Sequence, residues 1–494
     1  MTRLSNECLN QLPASVQRPD YERNSITTGI VHLGIGAFYR AHQAVCIDDI
    51  LRDDPVWGIV GASLRRPDTR DALQPQDGLY TLAVRDASGT HCRVIGSILE
   101  VVDANKQNAH LIDVMTQAIV RIVSLTITEK GYCHDPASGQ LDEKHPDILH
   151  DLSHPNQPKT APGLIVEALA RRRENGIAPF TVLSCDNLPA NGKTAARIIT
   201  RFAHLRDADL GAYVRDQVSF PSTMVDRITP ATTNEDRAMV RDVIGCEDAW
   251  PIVTEPFTQW VIEDNFPQGR PAFEKAGAQL VDDVEPFELM KLRMLNGAHS
   301  TMAYLGYLAG FETVAQTINN QAFYRLIHDL MTKEVAPTLD MPGTDLGAYR
   351  DALLDRFANP ALQHRTWQIA MDGSQKLPQR LLSIITDRLK TNASFNRLAL
   401  GVAAWIIYAS GTNEKGAAID VRDPLADRLR ALAEQTGNDA DKRTNAFLQV
   451  KEVFGDELPN HPVFVDSVKT HVKNLMNGGA LKCVEALGES DPTS

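Results

Sequence analysis

The sequence predicts an α/β domain followed by an all-α domain, and three observations predict it. Short β-branched runs alternate with helix-like stretches over residues 1–285; the first run opens directly into Gly34-Ile35-Gly36; and from Pro286 onward the pattern is helical nearly throughout. A doubly wound, Rossmann-type dinucleotide-binding domain is therefore expected over 1–285. A mainly helical domain carrying the substrate site and the catalytic groups is expected over 286–494.

Size and composition agree with that division. At 494 residues the chain is longer than a single hydrophobic core usually supports. A hydrophobic share of 43% and a charged share of 23% are those of a soluble globular protein, which excludes a disordered or membrane-embedded chain. The formal charge of -13 argues against nucleic acid or an anionic membrane as a partner and favours a small molecule. The seven cysteines are odd in number, scattered, and never spaced C-x-x-C, the usage of a reducing compartment. The N-terminus lacks the order of a signal peptide, and the longest apolar run, 398–409, is too short to cross a bilayer, so a cytoplasmic protein is expected.

Taken in order, 29–33 (G-I-V-H-L) is the first strand, Gly34-Ile35-Gly36 the turn, and 40–51 the helix after it. Glycines at such a turn let backbone N–H groups approach a pyrophosphate at a helix N-terminus. The third glycine of the usual fingerprint is absent; G-I-G-A-F-Y-R instead puts Phe38 and Arg40 at the helix start, with Arg40 in reach of a phosphate. Gly34, Gly36, Phe38 and Arg40 are thus candidate cofactor residues, beside the plainer reading of an ordinary βα turn. A second strand, 58–64, ends at Arg65-Arg66-Pro67-Asp68, where an acid suited to a ribose hydroxyl sits beside two bases suited to a 2′-phosphate. Asp68 tips the expectation to NAD, with NADP left open.

Strands are expected at 79–85 and 92–101, a helix at 111–117, and a buried parallel strand at 119–128, I-V-R-I-V-S-L-T-I-T. Its end, T-E-K-G-Y at 128–132, is expected to border the cofactor, because ligands gather at the carboxyl ends of strands in such sheets. A loop over 134–162, a helix over 163–175 and a strand over 180–183 follow. That strand runs into Ser184-Cys185-Asp186-Asn187, where Asn187 either donates its amide to a ligand or makes a local turn. Asp226 and Arg227 read as a structural ion pair, and 255–271 as a Pro/Gly-bearing linker. Helices are then expected at 287–310, 319–335, 346–357, 378–390, 395–410, 424–436 and 442–454.

The helix at 287–310 is apolar apart from a few groups, among them Lys291, Asn296 and His299. At ~100° per residue these three fall at roughly 0°, 140° and 80° about the axis, on one side, over an axial rise of ~12 Å. That spacing suits an extended polar molecule better than one metal ion. An ammonium buried among apolar side chains loses some preference for its charged form, so Lys291 is a candidate general base. The plainer reading is a core helix in which Lys291 snorkels out and Asn296 and His299 satisfy neighbours. Further on, H-R-T-W-Q-I-A-M-D-G-S-Q-K-L-P at 364–378 offers Arg365, Gln368 and Lys376.

Five motifs occur in order along the chain: G-I-G-A-F-Y-R-A-H-Q, S-L-T-I-T-E-K-G-Y, S-C-D-N-L-P-x-N-G, M-V-D-R-I-T-P and K-x-x-x-x-N-x-x-H. Together they resemble the mannitol dehydrogenase family of long-chain polyol dehydrogenases. The resemblance implies a zinc-independent, generally monomeric oxidoreductase without a metal site. It places the catalytic lysine on Lys291, the two oxyanion-binding asparagines on Asn187 and Asn296, and a substrate-binding histidine on His299. It also places substrate contacts on Asp226 and Lys376 and a carboxylate gating the proton path on Glu288. At Gln368 this chain departs from mannitol dehydrogenases, which have a substrate-touching arginine there. The segments around 291–297 and 364–378 are more similar to the D-mannonate oxidoreductase (fructuronate reductase) branch, whereas 64–77 resembles the mannitol branch. The expected function is NAD(P)-dependent, metal-independent oxidation of a secondary alcohol, with D-mannonate and D-fructuronate as the first choice of substrate pair. A mannitol 2-dehydrogenase or another hexitol or pentitol dehydrogenase is the alternative, and a non-catalytic dinucleotide sensor is the alternative of a different class.

Overall fold

β-Branched runs supply the framework of the first half of the chain. In chain order its strands are β1 (Thr28–Leu33), β2 (Gly58–Ser63), β3 (Tyr80–Asp86), β4 (Gly89–Ile95), β5 (Ile98–Asp103), β6 (Ile122–Leu125), β7 (Thr181–Ser184), β8 (Thr223–Asp226), β9 (Ile252–Thr254), β10 (Gln259–Glu263) and β11 (Gln279–Val281). The computed structural model describes residues 2–86, 88–135, 139–362 and 364–489. The chain divides into two compact units, Met1–Glu285 and Pro286–Ser494.

Five strands of the first unit form one parallel sheet in the order β5-β2-β1-β6-β7. The chain winds outward from β1 through β2 to β5, then crosses back to β6, so the switch point of the sheet lies between β1 and β6. Both faces are covered, as a parallel sheet requires: Ile30, Val31 and Leu33 of β1 are at most 3% exposed, each such side chain contributing about 1.5–3 kcal/mol on burial. Two three-stranded sheets, β4-β3-β9 and β11-β10-β8, complete the unit. The α/β-then-α fold class is thus present.

Several elements differ from the sequence reading. The helix expected over 40–51 is two, Ala37–Ala41 and Gln43–Ile50, broken at His42, whose backbone (φ -125°, ψ -87°) is not helical. The strand expected over 92–101 is split between β4 and β5, which join different sheets. The corner at Gly96-Ser97 is held by the buried Asp48 carboxylate, which accepts from the Gly96 N–H at 2.8 Å, and by Ser97 Oγ donating to the Ala44 carbonyl. The expected strand 119–128 shrinks to β6. The expected loop 134–162 contains the helix Pro146–Ser153, its residues 136–138 lying outside the described ones. The expected linker 255–271 contains β10, an interior strand paired with both β8 and β11. Arg227 gives its guanidinium to the carbonyls of Ala41 and Glu255, so it serves backbone groups where an ion pair with Asp226 was expected.

In the second unit, Glu285–Met290 and Gly297–Leu308 are α-helical and Lys291–Asn296, between them, is a π-helix. The helix Asn396–Ala409, buried along nearly its whole length, packs against Gly297–Leu308 and against Pro462–Gly478. Two helices, Pro462–Gly478 and Ala480–Glu489, lie beyond the last one expected from sequence. Among the described residues no helix is long and apolar enough to cross a membrane.

Candidate active site

The turn after β1 is built as a backbone cradle. Gly34 has φ +95°, and a Cβ there would lie 2.2 Å from the Thr126 carbonyl, so only glycine fits. Gly36 is exposed and its added Cβ would meet nothing nearer than 3.8 Å, leaving its backbone open to a bound group. Beneath the turn, His32 is 0% exposed, with Nδ1 2.9 Å from Ser124 Oγ and Nε2 2.9 Å from Thr126 Oγ1, and its ring stacks on Tyr39 at 3.3 Å. Burial pushes its pKa down to about 3, so the ring is neutral.

Arg40 is a correction. It is 0% exposed, its Nη1 donates to the Trp250 carbonyl at 2.9 Å and its Nε to the Gly36 carbonyl at 3.3 Å, and its guanidinium lies over the rings of Tyr80 and Trp250. The arginine aimed at a phosphate is a tie between the glycine turn and the segment before β9. Phe38 is half-buried and stacks on His42. Asp68 is paired with Arg66 at 2.9 Å, both side chains well exposed.

A cavity of about 1080 Å³ opens at the carboxyl ends of β2, β5 and β6. Arg65, Lys106, Lys130 and Lys159 give it a cationic rim, and Asn105 and Asn108 add amides. Lys130 and Gly131 bring the 128–132 segment to its wall, on the side of the sheet where a dinucleotide's adenosine end would lie. The lysines were not among the sequence candidates, although Lys130 sits in S-L-T-I-T-E-K-G-Y, whose end was expected to border the cofactor.

The end of β7 is organised by Asp186, which is 7% exposed. Its carboxylate accepts from the backbone N–H groups of Ile127 and Thr128 at 3.1 and 2.8 Å and from Tyr132 Oη at 2.8 Å. Asn191 donates its amide to the carbonyls of Asp186 and Thr223, which accounts for the second asparagine of S-C-D-N-L-P-x-N-G. These bonds fix the loop on which Asn187 stands exposed. Asp226, at the end of β8, is 6% exposed.

In the second unit the π-helix changes the sequence geometry. An i→i+5 ladder turns roughly 80–90° per residue, which swings Asn296 to roughly 60° from Lys291 instead of 140°. Lys291 and Asn296, both half-buried, so share a face more closely than an α-helix would allow. His299 follows one turn on, 8% exposed, with its ring against Phe357 at 4.6 Å and edge-on to His364 at 5.4 Å. Its Nε2 is buried and has no hydrogen-bond partner among the described residues. Burial first, then the neighbouring His364, Arg356 and Arg380, hold its pKa well below the ordinary range. The same condition recurs in the ring packed edge-on to it, where His364 Nδ1 is also buried without a partner among the described residues; Tyr304 Oη shares that state beside Gly373. Buried polar atoms are nearly always bonded in folded proteins, so such a cluster has the character of a surface completed by a polar ligand.

The remaining candidates are placed less centrally. Glu288, half-buried, precedes Lys291 by one turn. Gln368 and Arg365 are exposed, Arg365 preceding the helix Thr366–Ala370 and bridging to Thr313. Lys376 directs its ammonium to the Ile369 and Met371 carbonyls, so two of its three protons serve backbone. Arg356 and Arg380 were missed. Arg380 stands four residues after Lys376, on the same helix face, which was a legible signal; Arg356 carried none.

The comparisons with known proteins agree with this architecture. Residues 28–275 match the mannitol dehydrogenase Rossmann domain and residues 283–476 the mannitol dehydrogenase C-terminal domain. The chain is 49% identical over 479 residues to the D-mannonate oxidoreductase of Escherichia coli (strain K12), with 96% of this chain and 98% of that protein covered. It is 39% identical over 495 residues to the mannitol 2-dehydrogenase of Aspergillus fumigatus (strain CBS 144.89 / FGSC A1163 / CEA10), covering 97% and 98%. The solved ternary complex of Pseudomonas fluorescens mannitol 2-dehydrogenase with NAD and D-mannitol superposes with a TM-score of 0.85 at 40% identity, over 99% of this chain and 100% of that one. A glycine cradle at the switch point of a parallel sheet, a helical unit built on K-x-x-x-x-N-x-x-H, and relatives matched from end to end make this chain a member of the mannitol dehydrogenase family, an oxidoreductase acting on CH–OH groups.

Proposed function

We propose that this chain interconverts a sugar acid and its keto acid, D-mannonate and D-fructuronate, with NAD as the redox partner and no metal. The observation that carries the sugar-acid reading is the setting of His299: a neutral ring whose buried Nε2 has no partner among the described residues, influenced there by two guanidinium groups and by no carboxylate. In a chain of formal charge -13, a buried polar face with two guanidinium groups among its electrostatic neighbours suits an anionic substrate better than a neutral polyol.

Lys291 takes the hydroxyl proton of the substrate alcohol at Nζ during oxidation and returns it to the ketone oxygen during reduction. The nicotinamide ring, when bound, supplies the carbon that accepts or delivers the hydride. Asn296 and Asn187 donate their amides to the oxygen as it gains alkoxide character, the stage at which such donors contribute most. His299, held neutral, hydrogen-bonds a neighbouring hydroxyl through Nε2, and Asp226, Gln368, Arg365 and Lys376 receive the rest of the substrate chain. Glu288, one turn before Lys291, relays the proton toward solvent. Gly34, Gly36 and Phe38 hold the dinucleotide, with Asp68 choosing NAD through the ribose. The open backbone at Gly36 and the strict need for glycine at position 34 fit such a group. The protein works as a monomer in this reading.

The test is kcat/KM for D-mannonate, D-mannitol and D-arabinitol, each with NAD and NADP, before and after treatment with a chelator. The reading expects D-mannonate with NAD to lead by at least about ten-fold, with no loss to the chelator. A D-mannitol preference overturns the substrate, and cofactor binding without any turnover overturns the enzyme.

A further inference from the structure

Buried arginines in this protein follow a rule. Arg293, 6% exposed, pairs with Asp387 at 2.6 Å and bonds the Thr338 carbonyl; Arg397, 7% exposed, pairs with Glu334 and Asp329. Where no carboxylate is at hand, carbonyls replace it. Arg172 donates to the carbonyls of Ala178, Met115, Gln117 and Val120, and Arg40 to those of Trp250 and Gly36. A guanidinium taken out of water needs its N–H groups satisfied, and these partners supply nearly all of that need, Arg293 Nε alone of the four side chains' nitrogens being buried without a partner among the described residues.

Arg380 differs from these. It is half-buried, and among the described residues it makes a single hydrogen bond, from Nη1 to Ser300 Oγ at 3.2 Å, while none of its nitrogens is a sealed, unpartnered atom, so the rest of the guanidinium is open to a ligand. Burial lowers its pKa, and among the described residues the side chain acting against that is Tyr304, not a carboxylate. The nearby acids are engaged elsewhere: Asp423 accepts from Ser374 N, Ser374 Oγ and Leu425 N, and both Asp372 and Asp423 act on Lys376.

Its position is as specific as its bonding. Arg380 lies in another π-helix, Pro378–Leu382, which packs against the π-helix Lys291–Asn296; a Cβ on Gly297 would come within 2.9 Å of the Arg380 carbonyl. Its bond to Ser300 fixes the guanidinium beside His299, whose pKa it depresses. From Lys291 to Ser300 the helix rises no more than about 13 Å, the π-helical part advancing less per residue than an α-helix, which still leaves room for a six-carbon chain between a base at one end and a guanidinium at the other.

We infer that Arg380 is the receptor for the substrate carboxylate, the residue by which this chain selects a sugar acid over the neutral polyol; the inference rests on the sugar-acid reading above. With one nitrogen held by Ser300, the remaining edge of the guanidinium is free for the parallel pair of N–H···O bonds that carboxylates form with arginine. Lys376 is the weaker carboxylate receptor, because two of its three ammonium protons already serve backbone carbonyls and one remains for the substrate chain.

The experiment compares wild type with Arg380→Gln and Arg380→Lys, reading kcat and KM separately for D-mannonate and D-mannitol, with Tm and NADH binding as controls for folding. The ratio of kcat/KM for D-mannonate over D-mannitol is expected to fall ~10²-fold in Arg380→Gln, mainly through KM for D-mannonate. Arg380→Lys keeps the charge but not the fork, and is expected to lose ~10-fold. If Arg380→Gln is too unstable to assay, Arg380→Lys decides alone. A wild type that prefers D-mannonate with an unmoved ratio in the variants overturns the role of Arg380 and leaves the sugar-acid reading standing. A wild type that prefers D-mannitol overturns both.

Discussion

Two of the buried histidines, His32 and His299, are both held neutral, yet their surroundings differ. His32, beneath the glycine turn, has both ring nitrogens bonded to hydroxyls and its face covered by Tyr39. His299, on the helical unit, touches Phe357 and His364 but leaves Nε2 without a partner among the described residues, with His364 Nδ1 in the same state beside it. Equal burial and equal charge state therefore say little about role. What separates the two is saturation: the first site is complete without a ligand and holds the sheet together, whereas the second retains unspent hydrogen-bonding capacity. Desolvation without partners costs stability, and a fold keeps such a cost where a ligand removes it.

The largest effect should come from the group that moves the proton. Lys291→Ala is expected to lower kcat by ~10²–10⁴-fold with NADH affinity and Tm nearly unchanged. A retained kcat with lost cofactor binding would move Lys291 out of the chemistry.

Next comes the comparison itself. His299→Leu removes an unsatisfied polar group and puts an apolar one against Phe357, so Tm should hold or rise while kcat/KM falls ~10²-fold. His32→Leu leaves Ser124 and Thr126 without their partner and should cost about 2–4 kcal/mol of stability. Chemical denaturation beside steady-state kinetics on both variants tests the crossing; a His299→Leu protein as destabilised as His32→Leu would erase the distinction.

The two histidines should agree in one respect. A folded pKa of about 3 for His32 lies below the unfolded value of ~6.5, so the unfolded chain binds a proton that the native one refuses. The stability this supplies is complete above pH ~6.5 and is lost as pH falls toward 3, at up to ~1.4 kcal/mol per pH unit. His299 is shifted in the same direction by its own burial. Unfolding free energies measured from pH 7 to 4 should therefore flatten by about one proton in His32→Gln and again by about one in His299→Leu. Unchanged slopes would mean that one ring or the other is protonated in the native state.

The sheet was legible because its strands are β-branched runs ended by glycine or polar clusters; the Lys291, Asn296 and His299 constellation was legible because helical spacing brings i, i+5 and i+8 to one side. What escaped was whatever depends on distant partners. The corner at Gly96-Ser97 has no sequence mark of its own and exists because Asp48, nearly fifty residues earlier, accepts the Gly96 N–H. The segment around Gln259–Glu263 sits among prolines and glycines and becomes a strand only through pairing with β8 and β11. Arg40 looked like a phosphate ligand from its position after the glycines, but Trp250 and Tyr80 draw it inward. The π-helix at Lys291–Asn296 likewise has no composition that announces it.

The smallest effect belongs to the exposed end of the cofactor region, where saturation carries little weight. Asp68 can hold a ribose hydroxyl only while its carboxylate is turned from Arg66, and the pair they form is 79% and 46% exposed at its two side chains. Water competes for both partners at such exposure, and ion pairs of this kind are worth ~0–1 kcal/mol. Arg66→Ala is therefore expected to lower KM for NAD by no more than about five-fold, because it frees Asp68 from a weak competitor. The same change removes one cation near the ribose and should raise KM for NADP by a similar factor. A much larger gain for NAD would mean that the Arg66–Asp68 pair holds as tightly as the bonds around His32, and that saturation shapes the surface of this protein as firmly as its interior.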